Sequence, residues 1–344
     1  MRAAVMTRHG GPEALEVSEV ADPVPGPGQV RIAVRAAEVN NTDPWTREGA
    51  YGADPGVAVG WRQVPIEVPR IQGADVCGVV ESVGDGVDTL LLGRRVLVDP
   101  ARYDGPEPDA QPDDILGSER DGGFAELVVV DATDVHDVTD SPLDDAELAS
   151  LPIAHGTAMG MLARAGATAG ERLVATGASG GVGLAVVQLA AALGLEVVAV
   201  STADKDELLR AQGAAAVVDR RSDTLADDVR RAAGGPVEVV ADVVGGEQFS
   251  VWPGVLARRG RIVVAGAVAG PIVSLDLRPL YLEQRRIIGS TMHTRDDFAR
   301  LVDLARTGAV RPVVAHRFPL GEIHAAQQAL RAPDTVGKVV IEIG

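Results

Sequence analysis

Cysteine and lysine are nearly absent from this chain of 344 residues. The single cysteine, Cys77, excludes an intramolecular disulfide bond and any zinc site that needs two or more cysteines, and it favours a reducing compartment. Among the 32 basic residues only Lys205 and Lys338 are lysines, and the others are arginines. The net charge of −17 argues against nucleic acid or an anionic membrane as a partner, because phosphate binding needs a local excess of positive charge.

Long hydrophobic runs are also missing. The longest apolar stretch, residues 184–200, is interrupted by Gln188, Gly194 and Glu196, so it is typical of a helix, a turn and a strand and not of a membrane span. The amino terminus lacks the apolar core of a signal peptide. We therefore expect a soluble, cytoplasmic protein that has no membrane partner.

The chain shows two successive patterns, which together predict an α/β fold. Short valine-rich alternating runs come first, at 29–36, 78–83 and 124–130, and they are typical of an antiparallel, barrel-like β region. From about residue 145, apolar runs of strand length alternate with helical patterns, which predicts βαβ units around a parallel sheet. The strands are expected at 172–176, 196–201, 237–243 and 261–265, and the helices at 182–193, 205–212 and 248–256. In the tail, 287–291 and 338–343 are predicted strands and 295–306 is a predicted amphipathic helix.

The segment 99–121 follows neither pattern. It contains four prolines and eight acidic residues. This composition predicts a solvated loop.

A glycine cluster lies between a predicted strand and a predicted helix. Gly177 suits a tight turn, and Gly183 suits close packing of helix on strand. Between them, glycines without a Cβ allow backbone N–H groups to approach a pyrophosphate, and the helix amino terminus adds its positive dipole. The predicted dinucleotide-binding residues of this loop are Gly177, Ser179, Gly180, Gly181, Val182 and Gly183. The alternative is a plain glycine turn in an α/β domain.

The end of the next strand indicates which dinucleotide binds. Sites that prefer NAD carry an acidic residue there, which binds the ribose 2′-hydroxyl. This chain has Ser201 and Thr202 instead, and Lys205 follows soon after, so we expect NADPH, with its 2′-phosphate bound by these three residues. The alternative is that Lys205, flanked by Asp204 and Asp206, is an ordinary solvated residue.

Five further motifs extend this pattern to the whole chain. They are VNNTD at 39–43, GADVCGVVESVG at 73–84, GGFAE at 122–126, DVVGG at 242–246 and GKVV at 337–340. In this order and spacing the chain resembles the medium-chain dehydrogenase/reductase superfamily, and within it the zinc-free quinone oxidoreductase branch. The resemblance implies a GroES-like catalytic domain over 1–145 and 295–344, and a Rossmann dinucleotide-binding domain over 146–294.

The chain departs from the zinc alcohol dehydrogenases of that superfamily at two positions. Those enzymes bind their catalytic metal through a cysteine where this chain has Asn40, and through a histidine where it has Ala74. A catalytic zinc needs three protein ligands, and neither residue can serve as one. We therefore expect no metal.

The resemblance also implies positions for the nicotinamide end of the cofactor and for the subunit contact. The nicotinamide is expected near Asn40, Thr157, Val244, Gly266 and Lys338. Lys338 could equally be an ordinary residue at the start of a strand. By the same resemblance, a homodimer is expected to form through strand 287–291.

Three of the ten aromatic residues, Trp45, Tyr51 and Trp61, fall within 17 residues just after the VNNTD motif. Flat apolar rings with polar tips suit a planar conjugated substrate, although they could also anchor a glycine-rich loop.

Hydride transfer to such a substrate needs a hydrogen-bond donor to its oxygen, for which Asn40, Tyr51 and Thr157 are the candidates. The final proton would come from Tyr51 or water. His155 could act as a proton relay in the pocket, or it could be structural.

The sequence therefore predicts a zinc-independent, NADPH-dependent oxidoreductase that transfers hydride to a quinone or an α,β-unsaturated carbonyl. One alternative is an enoyl-thioester reductase or a tailoring reductase of secondary metabolism. Another is a non-catalytic NADPH-binding sensor.

Overall fold

A computed structural model describes residues 1–51, 64–107, 109–332 and 334–344. Two compact units divide the chain: unit 1 comprises Met1–Ile153 and Thr294–Gly344, and unit 2 comprises Ala154–His293. Among the described residues, no helix combines the length and the apolar character needed to cross a bilayer.

Strands and helices are numbered in chain order. The strands are β1 (Arg2–Met6), β2 (Leu15–Glu19), β3 (Gln29–Val39), β4 (Arg70–Ile71), β5 (Cys77–Val83), β6 (Arg95–Val98), β7 (Ala101–Tyr103), β8 (Pro112–Ile115), β9 (Leu127–Asp131), β10 (Val135–Asp137), β11 (Arg172–Ala175), β12 (Glu196–Ser201), β13 (Ala216–Asp219), β14 (Val237–Asp242), β15 (Leu256–Val264), β16 (Arg286–Gly289), β17 (Val314–Pro319) and β18 (Lys338–Glu342). The helices are α1 (Thr42–Glu48), α2 (Asp145–Ala149), α3 (Pro152–Ala165), α4 (Gly181–Ala192), α5 (Asp206–Ala211), α6 (Leu225–Ala232), α7 (Trp252–Val255), α8 (Leu277–Leu282), α9 (Arg295–Thr307) and α10 (Ile323–Arg331).

Unit 2 contains a six-stranded parallel sheet in the order β13-β12-β11-β14-β15-β16. The central strands are buried almost throughout, as parallel strands covered on both faces must be. The predicted Rossmann-type fold is therefore confirmed. The strand order reverses between β11 and β14, and ligands of such sheets bind at the carboxyl ends of the strands beside this point.

Unit 1 is β-rich and is built around the eleven-residue strand β3. Its main sheet has the order β10-β6-β5-β3-β18-β17, and β9 also pairs with β3. The late strand β18 returns to pair antiparallel with β3, which sets Val340 opposite Glu38. The predicted GroES-like β domain is thus confirmed.

The border between the units lies slightly later than the sequence predicted. Residues from 146 onwards were expected in the dinucleotide-binding domain, whereas unit 1 continues to Ile153. The difference arises because α2 packs on β3 and β5 of unit 1.

The prediction of a solvated loop over 99–121 is wrong. The segment contains β7 and β8, which pair antiparallel, and it buries Asp99. The Tyr103 hydroxyl donates to Oδ2 of Asp99 over 2.7 Å. Nε of Arg120 lies 2.7 Å from Oδ1 of Asp114. A count of charges alone misses that arginine and tyrosine side chains partner these carboxylates.

Candidate functional site

The glycine loop of unit 2 joins β11 to α4. Gly177 adopts φ +55°, a conformation that favours glycine. A Cβ on Gly183 would collide with the backbone carbonyl of Gly177, so the helix can approach the loop only with glycine there. No side chain caps the first turn of α4. The loop is therefore a cradle of glycines and unobstructed N–H groups, which fits a pyrophosphate.

The predicted 2′-phosphate residues lie at the end of β12. Ser201 is buried, and its hydroxyl donates to that of Ser179 in the glycine loop over 3.1 Å. Lys205 forms an ion pair with its neighbour Asp204 (3.1 Å). The end of β12 thus presents hydroxyl groups and an ammonium group.

Arg220 is a residue that the sequence analysis missed. It follows β13 directly, and its backbone N–H donates to the carbonyl of Ser201 over 2.7 Å. In contrast to Arg221, which is paired with Asp219, the exposed Arg220 guanidinium has no ion-pair partner in the part of the chain that the structure describes. The signal that could have identified it is the arginine pair immediately after an apolar run.

The residues of unit 2 that were expected near the nicotinamide, Val244 and Gly266, follow the carboxyl ends of β14 and β15. Asp242 accepts hydrogen bonds from the Thr176 hydroxyl (2.7 Å) and from the backbone of Gly245 (2.9 Å). These bonds hold the backbone around Val244. A Cβ on Gly266 would lie 2.9 Å from the carbonyl oxygen of Val243, so Gly266 packs directly against the same segment.

Thr157 and His155 lie on α3 but face different neighbours, as residues two apart on a helix do. The Thr157 hydroxyl lies 3.9 Å from the sulfur of Met292. His155 is buried, with Nε2 2.8 Å from Oε1 of Gln188. Of the two roles that the sequence left open for His155, burial between helices favours the structural one.

In unit 1, Asn40 lies at the turn between β3 and α1. Its side-chain Nδ2 donates to Oδ2 of Asp75 (2.9 Å), and its backbone N–H donates to Oδ2 of Asp43 (2.7 Å). Asp43 is buried, which raises its pKa to about 7 although the Asn40 N–H opposes the shift. Asp43 therefore holds the backbone of Asn40, and Asp75 holds its side-chain amide.

Lys338 begins β18 beside the same cluster. Its ammonium nitrogen lies 2.8 Å from Oε1 of Glu38, and both side chains are buried. The ammonium group that was expected near the nicotinamide is thus bound to a carboxylate. Sequence reasoning missed Glu38, whose only signal is a charged residue inside an apolar strand.

The aromatic residues after Asn40 are partly described. The rings of Trp45 and Tyr51 make an edge contact, with centroids 6.2 Å apart, and the Tyr51 hydroxyl donates to Thr42 over 2.5 Å. Burial raises the pKa of Tyr51 to about 12, so the phenol keeps its proton at neutral pH. Trp61 lies outside the described residues.

Comparison with known proteins identifies the family. The alcohol dehydrogenase GroES-like domain matches residues 26–140, and the zinc-binding dehydrogenase family matches residues 181–307. A quinone oxidoreductase from Mus musculus is 30% identical over 99% of this chain and 97% of its own. This chain is a medium-chain dehydrogenase/reductase.

Two further proteins are similar to this medium-chain dehydrogenase/reductase over nearly the full length. An acryloyl-coenzyme A reductase from Metallosphaera sedula is 31% identical over 99% of each chain. The crystal structure of a candidate alcohol dehydrogenase from Sinorhizobium meliloti 1021 is 43% identical, has a TM-score of 0.94 and matches 100% of this chain and 97% of its own. The chain is thus an oxidoreductase of a superfamily that uses nicotinamide cofactors.

Zinc does not fit the residues around Asn40. The Asn40 amide nitrogen is a hydrogen-bond donor here, and Asp75 accepts from it and, through Oδ1, from the backbone of Ile153 (2.8 Å). Ala74 offers no ligand atom. Within the described ranges, no three His, Cys, Asp or Glu side chains are grouped so that they could hold a metal.

Proposed function

We propose that this chain is a zinc-independent, NADPH-dependent reductase of quinones or α,β-unsaturated carbonyls. The observation that carries the proposal is the hydrogen bond between Asn40 and Asp75, which takes the place of metal ligation. A substrate oxygen in this protein would therefore be polarised by hydrogen-bond donors and not by a Lewis acid.

The preference for NADPH is supported by the ends of β12 and β13. A carboxylate at the end of β12 would bind the 2′-hydroxyl of NADH and repel a 2′-phosphate. The chain has Ser201 and Thr202 there, followed by Lys205, and Arg220 follows the neighbouring strand β13 directly. In the proposal these residues bind the 2′-phosphate, the loop from Gly177 to Gly183 binds the pyrophosphate, and Val244 and Gly266 bind the nicotinamide end.

NADPH supplies the hydride when bound, and the protein positions and polarises the acceptor. Negative charge gathers on the substrate oxygen, which needs a donor. One Nδ2 hydrogen of Asn40 is committed to Asp75, and the other serves the substrate. Tyr51, which stays protonated, and Thr157 are further candidate donors, and the final proton comes from Tyr51 or water.

We also propose a homodimer that forms through the edge of the unit 2 sheet. The edge strand β16 is largely exposed, and Ile272, Tyr281 and Leu282 nearby are exposed apolar residues. An unpaired strand edge next to apolar surface favours pairing with a second copy. A two-fold axis across β16 would pair the two strand edges and cover the apolar surface of each copy.

The direct test measures oxidation of NADPH and NADH with a panel of quinones and enones, together with metal analysis of the purified protein. We expect turnover with NADPH and no stoichiometric zinc. A clear preference for NADH, or zinc at full occupancy, contradicts the proposal. Asn40→Ala should lower kcat/KM by about 100-fold if the amide binds the substrate oxygen. Its matched control is Asn41→Ala, because Asn41 is exposed and makes no capping bond.

Enoyl-thioester reduction is the second candidate, and the similarity to an acryloyl-coenzyme A reductase favours it. Acyl-CoA substrates in the same assay separate it from simple quinone reduction and from a tailoring reductase. A protein that binds NADPH but turns over no acceptor would instead be the sensor.

A further inference from the structure

Two buried carboxyl groups, Glu38 and Asp75, belong to the cluster around Asn40, and the proposed reaction does not use them. Glu38 is in β3, Asp75 precedes β5, and both are almost fully buried. Their partners come from other elements: Lys338 from β18 and Ile153 from the start of α3. The cluster is thus assembled from four separate parts of unit 1.

The hydrogen bonds are distributed unequally between the two carboxyl groups. Both oxygens of Asp75 accept, Oδ2 from the Asn40 amide and Oδ1 from the Ile153 backbone. Glu38 accepts from Lys338 through Oε1, whereas its buried Oε2 has no donor among the residues that the structure describes. A buried carboxylate oxygen without a donor is costly, and the cost disappears if that oxygen shares a proton with a neighbouring carboxyl group.

The charges of the cluster point to the same conclusion. Lys338 is the cation that faces both Glu38 and Asp75, and Asp43 adds a third carboxyl group that interacts with Glu38. Arg47 acts on Asp43. Burial raises the pKa of Glu38 and of Asp75. The charge of Glu38 raises the pKa of Asp75 further, and a hydrogen bond with Asp75 opposes the rise in the pKa of Glu38. One ammonium group does not balance two buried carboxylates, so one proton is retained between them.

We propose that Glu38 and Asp75 share one proton, which lies between Oε2 of Glu38 and Asp75, and that this pair holds the Asn40 amide in the orientation that serves the substrate. Glu38, Asp75 and Lys338 are positioning residues, since none of them needs to touch the substrate. Asp75 accepts the Asn40 Nδ2–H, and the negative charge that remains on the pair strengthens this hydrogen bond. The second Nδ2 hydrogen then has a fixed direction. This role for Asn40 rests on the proposed function, whereas the shared proton does not.

The proton can be observed without substrate or cofactor. Infrared spectra of the full chain at neutral pH should contain a C=O band from a protonated carboxylic acid that Glu38→Gln removes. The amide introduced by Glu38→Gln would replace the shared proton by donating to Asp75, and its oxygen would still accept from Lys338. Difference spectra are needed because Asp43 and Asp134 also have pKa values near 7. Glu81→Gln on β5 is the matched control, since Glu81 is exposed and paired with Arg31.

The band must disappear in Glu38→Gln and persist in Glu81→Gln. A band that persists in Glu38→Gln overturns the shared proton. So does a difference spectrum between the wild type and Glu38→Gln that contains no carboxylic acid band.

The positioning role is tested by kinetics. Glu38→Leu and Asp75→Asn should lower kcat about tenfold or more while the Kd of NADPH stays within about twofold, and Glu38→Gln should restore most of the activity lost in Glu38→Leu. Above neutral pH the wild-type rate should fall as the shared proton leaves, and Glu38→Gln should abolish that limb of the pH profile. Unchanged kcat in Asp75→Asn, or an identical pH profile in Glu38→Gln, overturns the positioning role. If the band is confirmed but the protein has no reductase activity, the proposed function is refuted and the shared proton is still supported.

Discussion

The ammonium nitrogen of Lys338 lies 2.8 Å from Oε1 of Glu38, and each side chain is only 3% exposed. The two residues meet because β18 returns to pair with β3 from the far end of the chain. A buried ion pair contributes little net stability, but the loss of one partner leaves an uncompensated charge in the interior. The pair is therefore a sensitive position for stability.

Lys338→Met should lower the free energy of unfolding by about 3 kcal/mol, because the negative charge that Glu38 and Asp75 share would remain buried without its cation. Urea unfolding at neutral pH measures this. The double variant Lys338→Met/Glu38→Leu should recover most of the loss, since Asp75 then keeps the proton and no charge of the cluster is buried. Equal destabilisation of the single and double variants would show that the pair does not act as a charge pair.

Lys205→Ala and Arg220→Ala should each weaken NADPH binding about tenfold and leave NADH binding nearly unchanged, because each removes a charge expected to bind the 2′-phosphate. Isothermal titration calorimetry with both cofactors measures the difference. Arg221→Ala is the control, since the Arg221 guanidinium is already paired with Asp219. If a variant weakened both cofactors equally, its side chain would not contact the 2′-phosphate.

Asp134 should make the protein less stable as pH rises from about 4 to 7. Burial raises its pKa to about 7, although Arg120 at 3.7 Å opposes the shift. Within this window the unfolded chain releases the Asp134 proton while the folded protein retains it. The contribution of this proton to the free energy of unfolding therefore decreases as pH rises. Asp134→Asn should reduce the pH dependence of the urea midpoint, and only the contribution of groups such as Asp43 should remain.

The control for this prediction is Asp276→Asn. Hydrogen bonds from Arg278 lower the pKa of the exposed Asp276 to about 2, and Asp276 is not among the groups that act on Asp134. Asp276→Asn should therefore not flatten the profile between about pH 4 and 7. The same flattening in both variants would contradict the assignment to Asp134.

Gly183→Ala should abolish dinucleotide binding and destabilise unit 2 by about 1–3 kcal/mol, because the added methyl group collides with the Gly177 carbonyl. Thermal unfolding and NADPH titration measure the two effects. Gly254→Ala in α7 is the matched helical control, since an added Cβ there meets no atom within 4 Å. It should be neutral or slightly stabilising.

Ile287→Arg should convert the proposed dimer into a monomer, because a charge in β16 would oppose pairing with a second copy. Sedimentation equilibrium measures the mass. Leu193→Arg is the control: Leu193 is 40% exposed and Ile287 is 41% exposed, but Leu193 follows α4 and is not in β16. A wild-type monomer, or a dimer that survives Ile287→Arg, refutes this interface.

The sequence alone was sufficient for features whose residues are close together in the chain. Gly177 and Gly183 flank a single turn, and their spacing between an apolar strand and a helix predicts a nucleotide cradle. The ends of β12 and β14 could be placed within a residue or two for the same reason. The absence of zinc ligands at Asn40 and Ala74 followed from the resemblance of motifs to a known superfamily.

Only the tertiary structure revealed which distant side chains meet. Glu38 and Lys338 are separated by 300 positions, so no local pattern joins them. The paired strands β3 and β18 bring them together, and the segment before β5 adds Asp75. In the same way, only the folded chain shows that Arg120 pairs with Asp114 and that His155 faces Gln188. Local spacing determines turns and helix starts, whereas the protonation and orientation of buried groups depend on partners that only the fold supplies.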